Sequence, residues 1–259
     1  MNILFIGDII GSPGRKALKE CLPALVEKYA SDLVIANGEN AAGGFGITQE
    51  VAGKVFKTGV DVITSGNHIW DKKEVYDFLN RDSRLLRPAN YPDGAPGAGH
   101  GMYVTDSGLK VCVLNLAGRV FMTPIDCPFQ YAKRHIPRIL AETRVLIIDF
   151  HAEATSEKIA FGRMVDGQAS AVIGTHTHVQ TADEKILPGG TAYITDAGMT
   201  GPDDSVIGVE VDPIIDKFMV QTPRRFEVAK GPWRLNAVSV TIDEETGRAI
   251  SIERINFMK

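Results

Sequence analysis

Five segments of the chain end an apolar run with side chains able to bind metal. They are Asp8, Glu39 with Asn40, Asn67 with His68, His151, and His176 with His178. The runs before them (Asn-Ile-Leu-Phe-Ile from 2, Leu-Val-Ile-Ala from 33, Val-Asp-Val-Ile-Thr from 60, Val-Leu-Ile-Ile-Asp-Phe from 145, Ala-Val-Ile-Gly from 171) read as buried strands. Open α/β sheets bind ligands outside the carboxyl ends of their strands, so residues far apart in sequence would meet at one rim. Oxygen and imidazole donors gathered there make a site for two divalent metals, and such sites activate water against phosphate esters.

Each residue also has an ordinary alternative. His176 and His178 would enter one site together if the strand continues through them, because residues i and i+2 point the same way. They could equally be two rim histidines. Asn67 offers a neutral oxygen to a hard cation and His68 a proton, beside a Gly66 that permits close approach. An Asn turn next to a surface histidine has the same spelling. Glu39 can bridge two metals with its two oxygens, or be a solvated charge. Asp8 can cap a turn, and His151 can be a core histidine. Taken singly, each ordinary reading wins; five in succession, using four of the six histidines, require a coincidence. His100, placed in a loop, and His135, placed in a helix, stay outside the set.

The elements that must carry these residues alternate. A strand at 2–7 leads to a helix capped by Ser12 with Pro13 at its first position. Leu18, Cys21, Leu22, Leu25 and Tyr29 keep a helical period, and Pro23 predicts a kink or early stop. Strand 32–37 and the glycine loop 41–46 precede a helix from Thr48 to about Thr58. Strand 60–65 follows, and Asp71 with Glu74 suggests a capping box for a helix through Leu79, preferred over the alternative that Asp71 orients His68. The Pro- and Gly-rich stretch 87–101 belongs near the rim. Strands at 102–105, 110–116, 144–150, 170–174 and 191–195 and helices at 129–141 and from Ser156 complete the alternation. Another glycine loop spans 197–202, and residues 224–257 read as an antiparallel hairpin turning at 243–247. Two mixed sheets packed face to face with helices outside fit this order. No repeat or linker divides the chain, so one domain over 1–259 is expected.

Composition narrows the rest. The chain has 259 residues, net charge −4, 44% hydrophobic and 23% charged residues, as in ordinary globular proteins. Without a long basic run, no extended nucleic acid is expected as a partner. A small phosphorylated substrate is compatible, because bound metals supply positive charge locally. Cys21, Cys112 and Cys127 lack metal-type spacing and argue for a reducing compartment. No signal peptide is read and no apolar run reaches the ~18 residues of a membrane span. The expectation is a cytoplasmic protein, self-associating through Phe121, Met122 and Trp70.

In order along the chain stand Gly7-Asp8, Gly38-Glu39-Asn40, Gly66-Asn67-His68, His151 and Gly174-Thr-His176-Thr-His178. This series resembles the calcineurin-like metallophosphoesterases. Within them the chain is most similar to a bacterial branch described as 2′,3′-cyclic-nucleotide phosphodiesterases. Further stretches that carry the likeness are 5–15, 37–42, 66–72, Arg-Pro-Ala-Asn at 87–90, 149–157 and 174–183, so it covers the chain to about Pro202 and more loosely beyond. Two departures from the wider superfamily stand out: Asp8 is followed by Ile9-Ile10 where an Asp-x-His is usual, and Glu39 replaces a bridging aspartate.

The resemblance implies a four-layer αββα sandwich and a hydrolase with two divalent ions. Asp8, Glu39, His178 and Asn40 would hold one ion, and Glu39, Asn67, His151 and His176 the other. A metal-bridging hydroxide would attack the phosphorus of a cyclic nucleotide, with His68 protonating the leaving ribose oxygen. The oxygen-rich donor set favours iron or manganese over zinc. Arg87, Asn90 and Arg119 are candidates for phosphate or base contacts. Three alternatives stay open: a phosphomonoesterase, a regulatory metal- or nucleotide-binding protein on the same fold, and a dinucleotide-binding protein. The last rests on Gly7, Gly11 and Gly14, whose spacing is not G-x-G-x-x-G.

Overall fold

A computed structural model describes all 259 residues. The elements in order are β1 (Asn2–Ile6), β2 (Asp8–Ile9), α1 (Gly11–Tyr29), β3 (Leu33–Asn37), α2 (Gln49–Phe56), β4 (Val62–Thr64) and α3 (Val75–Leu79). Then come β5 (His100–Val104), β6 (Lys110–Ala117), α4 (Pro128–Ile139), β7 (Val145–His151), α5 (Thr155–Met164) and β8 (Ala171–Thr175). The chain ends with β9 (Lys185–Ile186), β10 (Ala192–Ile194), β11 (Met199–Pro202), α6 (Val211–Val220), β12 (Trp233–Ile242) and β13 (Ala249–Met258).

Two mixed sheets form. One runs β2-β11-β12-β1-β3-β4, with β13 added on β12; the other runs β5-β6-β7-β8-β10-β9. Strand alternation sorts the side chains into layers. Ile3, Phe5, Ile35, Val113 and Ile147 point into the space between the sheets. Their neighbours Leu4, Ile6 and Val34 pack beneath Leu18, Leu22 and Val55 of α1 and α2. Leu114, Leu146 and Phe150 pack beneath Ile136 and Phe161 of α4 and α5. The result is the expected α/β sandwich of two mixed sheets between helices. The pairs β1–β3, β3–β4, β6–β7 and β7–β8 are parallel, which brings the carboxyl ends of these strands to one rim of each sheet. No helix is long and apolar enough to cross a membrane.

Several local expectations are corrected. α1 begins at Gly11 with Ile10 in the cap position and no side-chain cap, so Ser12 and Pro13 lie in its first turn. Pro23 does not stop it. Leu18, Cys21, Leu22 and Leu25 hold one face in the core while Pro23 lies on the exposed face, where water can solvate the carbonyl it leaves without a donor. Thr48 does cap α2, accepting from the Val51 amide at 3.2 Å. α3 starts at Val75 with Glu74 in the cap position and no side-chain cap, so there is no capping box. α6 went unpredicted. Trp70 packs edge-on against Tyr76 and Tyr91 and is half-buried, whereas Phe121 is 90% exposed.

Candidate metal centre

Every segment singled out by its chemistry arrives at the same rim. Asp8 lies in β2, Glu39 and Asn40 follow β3, Asn67 and His68 form a 3-10 turn after β4, His151 ends β7, and His176 and His178 follow β8. Strand alternation does not set the last pair. β8 stops at Thr175, and both histidines turn through positive φ, 101° at His176 and 66° at His178. Left-handed backbone is unusual for histidine and persists where surrounding structure imposes it, typically at functional sites.

The first group converges on His151 Nε2. Glu39 Oε1 is 2.9 Å from it, His176 Nδ1 3.0 Å and Asn67 Oδ1 3.2 Å. Glu39, His151 and His176 are close enough to share one ion. The outer nitrogens fix the tautomers. His151 Nδ1 lies 2.9 Å from Thr175 Oγ1, which donates to Asp149 Oδ1 at 2.7 Å, so Thr175 must accept from the imidazole. His176 Nε2 faces Glu153 Oε2 at 3.1 Å, which leaves Nδ1 as a lone pair aimed inward. Glu39, Asn67, His151 and His176 thus present acceptors to one point. Such a cluster is stable around a cation or a proton.

The second group is looser. His178 Nε2 stands 3.4 Å from Asn40 Nδ2 and 3.9 Å from Asp8 Oδ1. His178 Nδ1 donates to the Ile207 carbonyl at 2.8 Å, which leaves Nε2 free to face the site. Asp8 Oδ1 and Asn40 Oδ1 are buried without any hydrogen-bond partner. Unpaired buried acceptors are costly, and a bound ion would satisfy them. Glu39 joins the groups, since its Oε1 also accepts from Asn40 Nδ2 at 3.4 Å.

Charge makes the same demand. Asp8, Glu39 and Asp149 are all fully buried. Burial pushes the Asp8 carboxyl well above the usual range, with His151 opposing and Glu39, Asp196 and Asp149 adding to it. Burial acts upward on Glu39 too, but the charge and hydrogen bond of His151 hold it down at about 2. His151 is raised to about 9 against its own burial, chiefly by Glu39. Without metal, a proton on His151 supplies the missing positive charge. Burial and neighbouring His151 lower His176 to about 3, and burial lowers His178, so both rings are neutral and able to ligate. Two buried carboxyl groups, Asp8 and Glu39, beside the neutral rings of His176 and His178 fit cations.

His68 lies apart from this acceptor cluster. Its amide donates to Glu39 Oε2 at 2.9 Å while its ring lines the adjoining cavity. His68 Nδ1 bonds Asp71 Oδ2 at 2.9 Å, so Asp71 orients His68 instead of capping α3. Gly66 is required by space: a Cβ there would sit 2.1 Å from His151 Nε2 and 2.5 Å from Glu39 Oε2.

Two of the three expected substrate contacts have their side chains committed elsewhere. The Arg87 guanidinium is spent on the carbonyls of Pro88, Ala95 and Pro96. Asn90 is buried, bonding backbone of Ala117 and Asp126. Arg119 is exposed; its amide is held by Glu157, while its guanidinium stays uncommitted. His100 opens β5 and lines a separate cleft with His135.

Sequence reasoning missed the supports behind the candidate ligands. Asp149 accepts from Thr175, Asn37 and Thr64. A carboxylate inside the apolar run of β7 was the available signal. Lys158 of α5 is buried against Asp196 at 2.7 Å, and Asp196 also accepts from the amide and hydroxyl of Thr177, between the two histidines. No local pattern announces that pair.

The model of the YmdB-like protein family matches residues 4–255. A 2′,3′-cyclic-nucleotide 2′-phosphodiesterase of Bacillus subtilis is 52% identical over 255 residues, covering 98% of this chain and 96% of that protein. A crystal structure of a hypothetical protein from Thermus thermophilus superposes with TM-score 0.92 at 42% identity, covering all of both chains. That of a phosphatase from Mycoplasma pneumoniae superposes with TM-score 0.94 at 36% identity, covering 100% of this chain and 93% of the other. The chain therefore belongs to the YmdB-like proteins, a group of calcineurin-like metallophosphoesterases.

Proposed function

We propose that the chain, acting as a single domain over 1–259, is a phosphodiesterase that works with two divalent ions on small phosphodiesters of the 2′,3′-cyclic-nucleotide class. The observation that carries this is the convergence of Glu39, Asn67 and His176 on His151 Nε2 beside the unpaired Asp8 Oδ1. The activity of the Bacillus subtilis relative supports the substrate class.

Glu39, Asn67, His151 and His176 would hold one ion, and Asp8, Glu39, Asn40 and His178 the other. For Asn40 to contribute, its amide must turn over, because Nδ2 now faces His178 while Oδ1 is unpaired. Carboxylate and amide oxygens form a majority of these donors, which favours iron or manganese over zinc. When bound, two such ions activate water and polarise phosphoryl oxygens.

The protein's own groups handle the leaving side. His68 is held by Asp71 on Nδ1 and lines the cavity beside Glu39, which suits its Nε2 to protonate the departing ribose oxygen. Neutral His176 and His178 stay available as donors, each locked by an acceptor on its outer nitrogen.

The test is hydrolysis of 2′,3′-cyclic AMP beside a phosphomonoester, with metal content measured on the same sample. Cyclic ester turnover, lost in Asp8→Ala, is expected. Turnover of the monoester alone would replace this reading with a phosphomonoesterase, and a fully metallated but inactive protein would leave a binding role.

A further inference from the structure

The cavity in front of the candidate centre is about 390 Å³, within the size range of small-molecule sites. Its floor is polar, with Glu39, His68, Glu153, His176 and His178. Much of the remaining lining is apolar and aromatic: Phe45, Ile207, Ile214, Phe218 and Phe226. The only Lys or Arg among the lining residues is Lys217, whose ammonium lies 5.0 Å from the Phe226 ring centroid.

This wall is attached to the centre on two sides. The Ile207 carbonyl accepts from His178, and Ile207 itself sits at φ 47°, which is rare for a β-branched residue. Val228 lies so close to the glycine loop carrying Phe45 that a Cβ on Gly44 would be 2.6 Å from it. Between these anchors the chain makes an excursion through α6, tied at its base by Glu210 N to Glu227 O at 3.0 Å and Ala229 N to Gly208 O at 3.1 Å. None of α6 is buried, and Phe218 is 69% exposed at the cavity. Exposed apolar surface of this kind at a pocket marks a binding face.

The occupant follows from where the leaving group must lie. Phe45 packs edge-on against His68 with ring centroids 5.3 Å apart. A group departing toward His68 therefore leaves beside Phe45. We infer that Phe45, Phe218 and Phe226 form a slot for the planar base of the substrate's nucleoside, an inference that rests on the phosphodiesterase reading above. Stacking on aromatic rings is tolerant of base identity. Apart from Lys217, the apolar side offers no hydrogen-bonding side chain, so the slot recognises a heteroaromatic base and discriminates weakly among the four.

The experiment compares 2′,3′-cyclic AMP with methyl ribofuranoside 2′,3′-cyclic phosphate, which lacks a base, on the metal-loaded enzyme and its Phe218→Ala and Phe226→Ala variants. In the wild type, kcat/KM is expected to favour the nucleoside by about tenfold or more, the equivalent of stacking one base. Each variant raises KM for the nucleoside, narrows the preference and leaves the base-less substrate unchanged. Hydrogen exchange at amides 211–220 slows with adenosine 3′-monophosphate in the wild type and less in Phe218→Ala. Equal kcat/KM for the two substrates in the wild type, or equal losses on both in the variants, overturns the slot while the phosphodiesterase reading stands. Failure to turn over either substrate at full metal occupancy overturns both.

Discussion

Thr175→Val tests whether the support behind His151 decides metal affinity. The substitution nearly preserves shape while removing one hydroxyl with two roles. Thr175 Oγ1 accepts from His151 Nδ1 at 2.9 Å and donates to Asp149 Oδ1 at 2.7 Å. Valine leaves both groups bare in a fully buried position. Asp149 Oδ2 keeps Asn37 and Thr64, so the carboxylate stays in place. Each unsatisfied buried group costs about 1–3 kcal/mol, so the metal-free protein should lose roughly 2–6 kcal/mol. His151 also loses the acceptor that keeps a proton on Nδ1 and leaves Nε2, the nitrogen that Glu39, Asn67 and His176 surround, to ligate. Losing such an outer partner weakens metal binding by about 10–100-fold, or roughly 1.4–2.7 kcal/mol. Manganese(II) titrated into metal-free protein against a chelator gives the affinity, and urea unfolding gives the stability. Thr175→Ser keeps the hydroxyl and should bind as the wild type does. If the valine variant binds manganese within about twofold of the serine variant, the outer partner does not set the affinity and the reasoning fails.

Four further outcomes are expected. His68→Ala should lower kcat by about 10²–10⁴-fold with metal content unchanged; loss of metal would mean that His68 supports the centre instead of donating a proton. Asp71→Asn should lower kcat by less, with KM kept, because it misorients His68 without removing it; steady-state kinetics on the metal-loaded variant reads this. Lys158→Met leaves Asp196 buried without its cation and should cost about 3–5 kcal/mol in urea unfolding, whereas a cost under about 1 kcal/mol would show the pair behaving like a surface bridge. Burial acts upward on the Asp183 carboxyl, but hydrogen bonds from Thr195 and Thr181 hold it below its usual value. Its stabilisation is therefore complete above the unfolded value of ~3.9 and is lost as pH falls through the folded value. Unfolding measured against pH should show a shallower acid limb in Asp183→Asn, and an unchanged limb would remove Asp183 from the account.

The layers and the rim were legible because they rest on local patterns. Alternating apolar residues such as Ile3, Leu4, Phe5 and Ile6 need a partner on each face, and glycine with a polar residue at strand ends marks the rim. The supports were not legible, because hydrogen bonds such as Asn37 to Asp149 join positions 112 residues apart. Asp71 shows the same limit. Its spacing to Glu74 fits a cap, but the 3-10 turn at Asn67–Trp70 brings it under His68 first. The pair His176 and His178 converged for a reason alternation does not contain: Asp196 grips Thr177 between them and the backbone turns left-handed on both sides. α6 was invisible to a search for core periodicity because it has no buried face.

The absence of a buried face on α6 bears on how the site is built. Elements that carry the candidate ligands must bury apolar faces to hold donors in place, and they announce themselves by doing so. An element that meets a transient ligand leaves its apolar side chains unpaired until the ligand arrives, so it lacks the pattern that reveals core elements. Phe218 and Phe226 fit this second class, while Phe150 and Phe161, stacked 4.3 Å apart beneath the sheet, fit the first. The two classes meet at His178, whose inner nitrogen faces Asp8 and whose outer nitrogen is held by the loop that bears the exposed wall. The Ile207 carbonyl is one of the two links from the wall to the centre, and it ties substrate recognition to the geometry of the second group of donors.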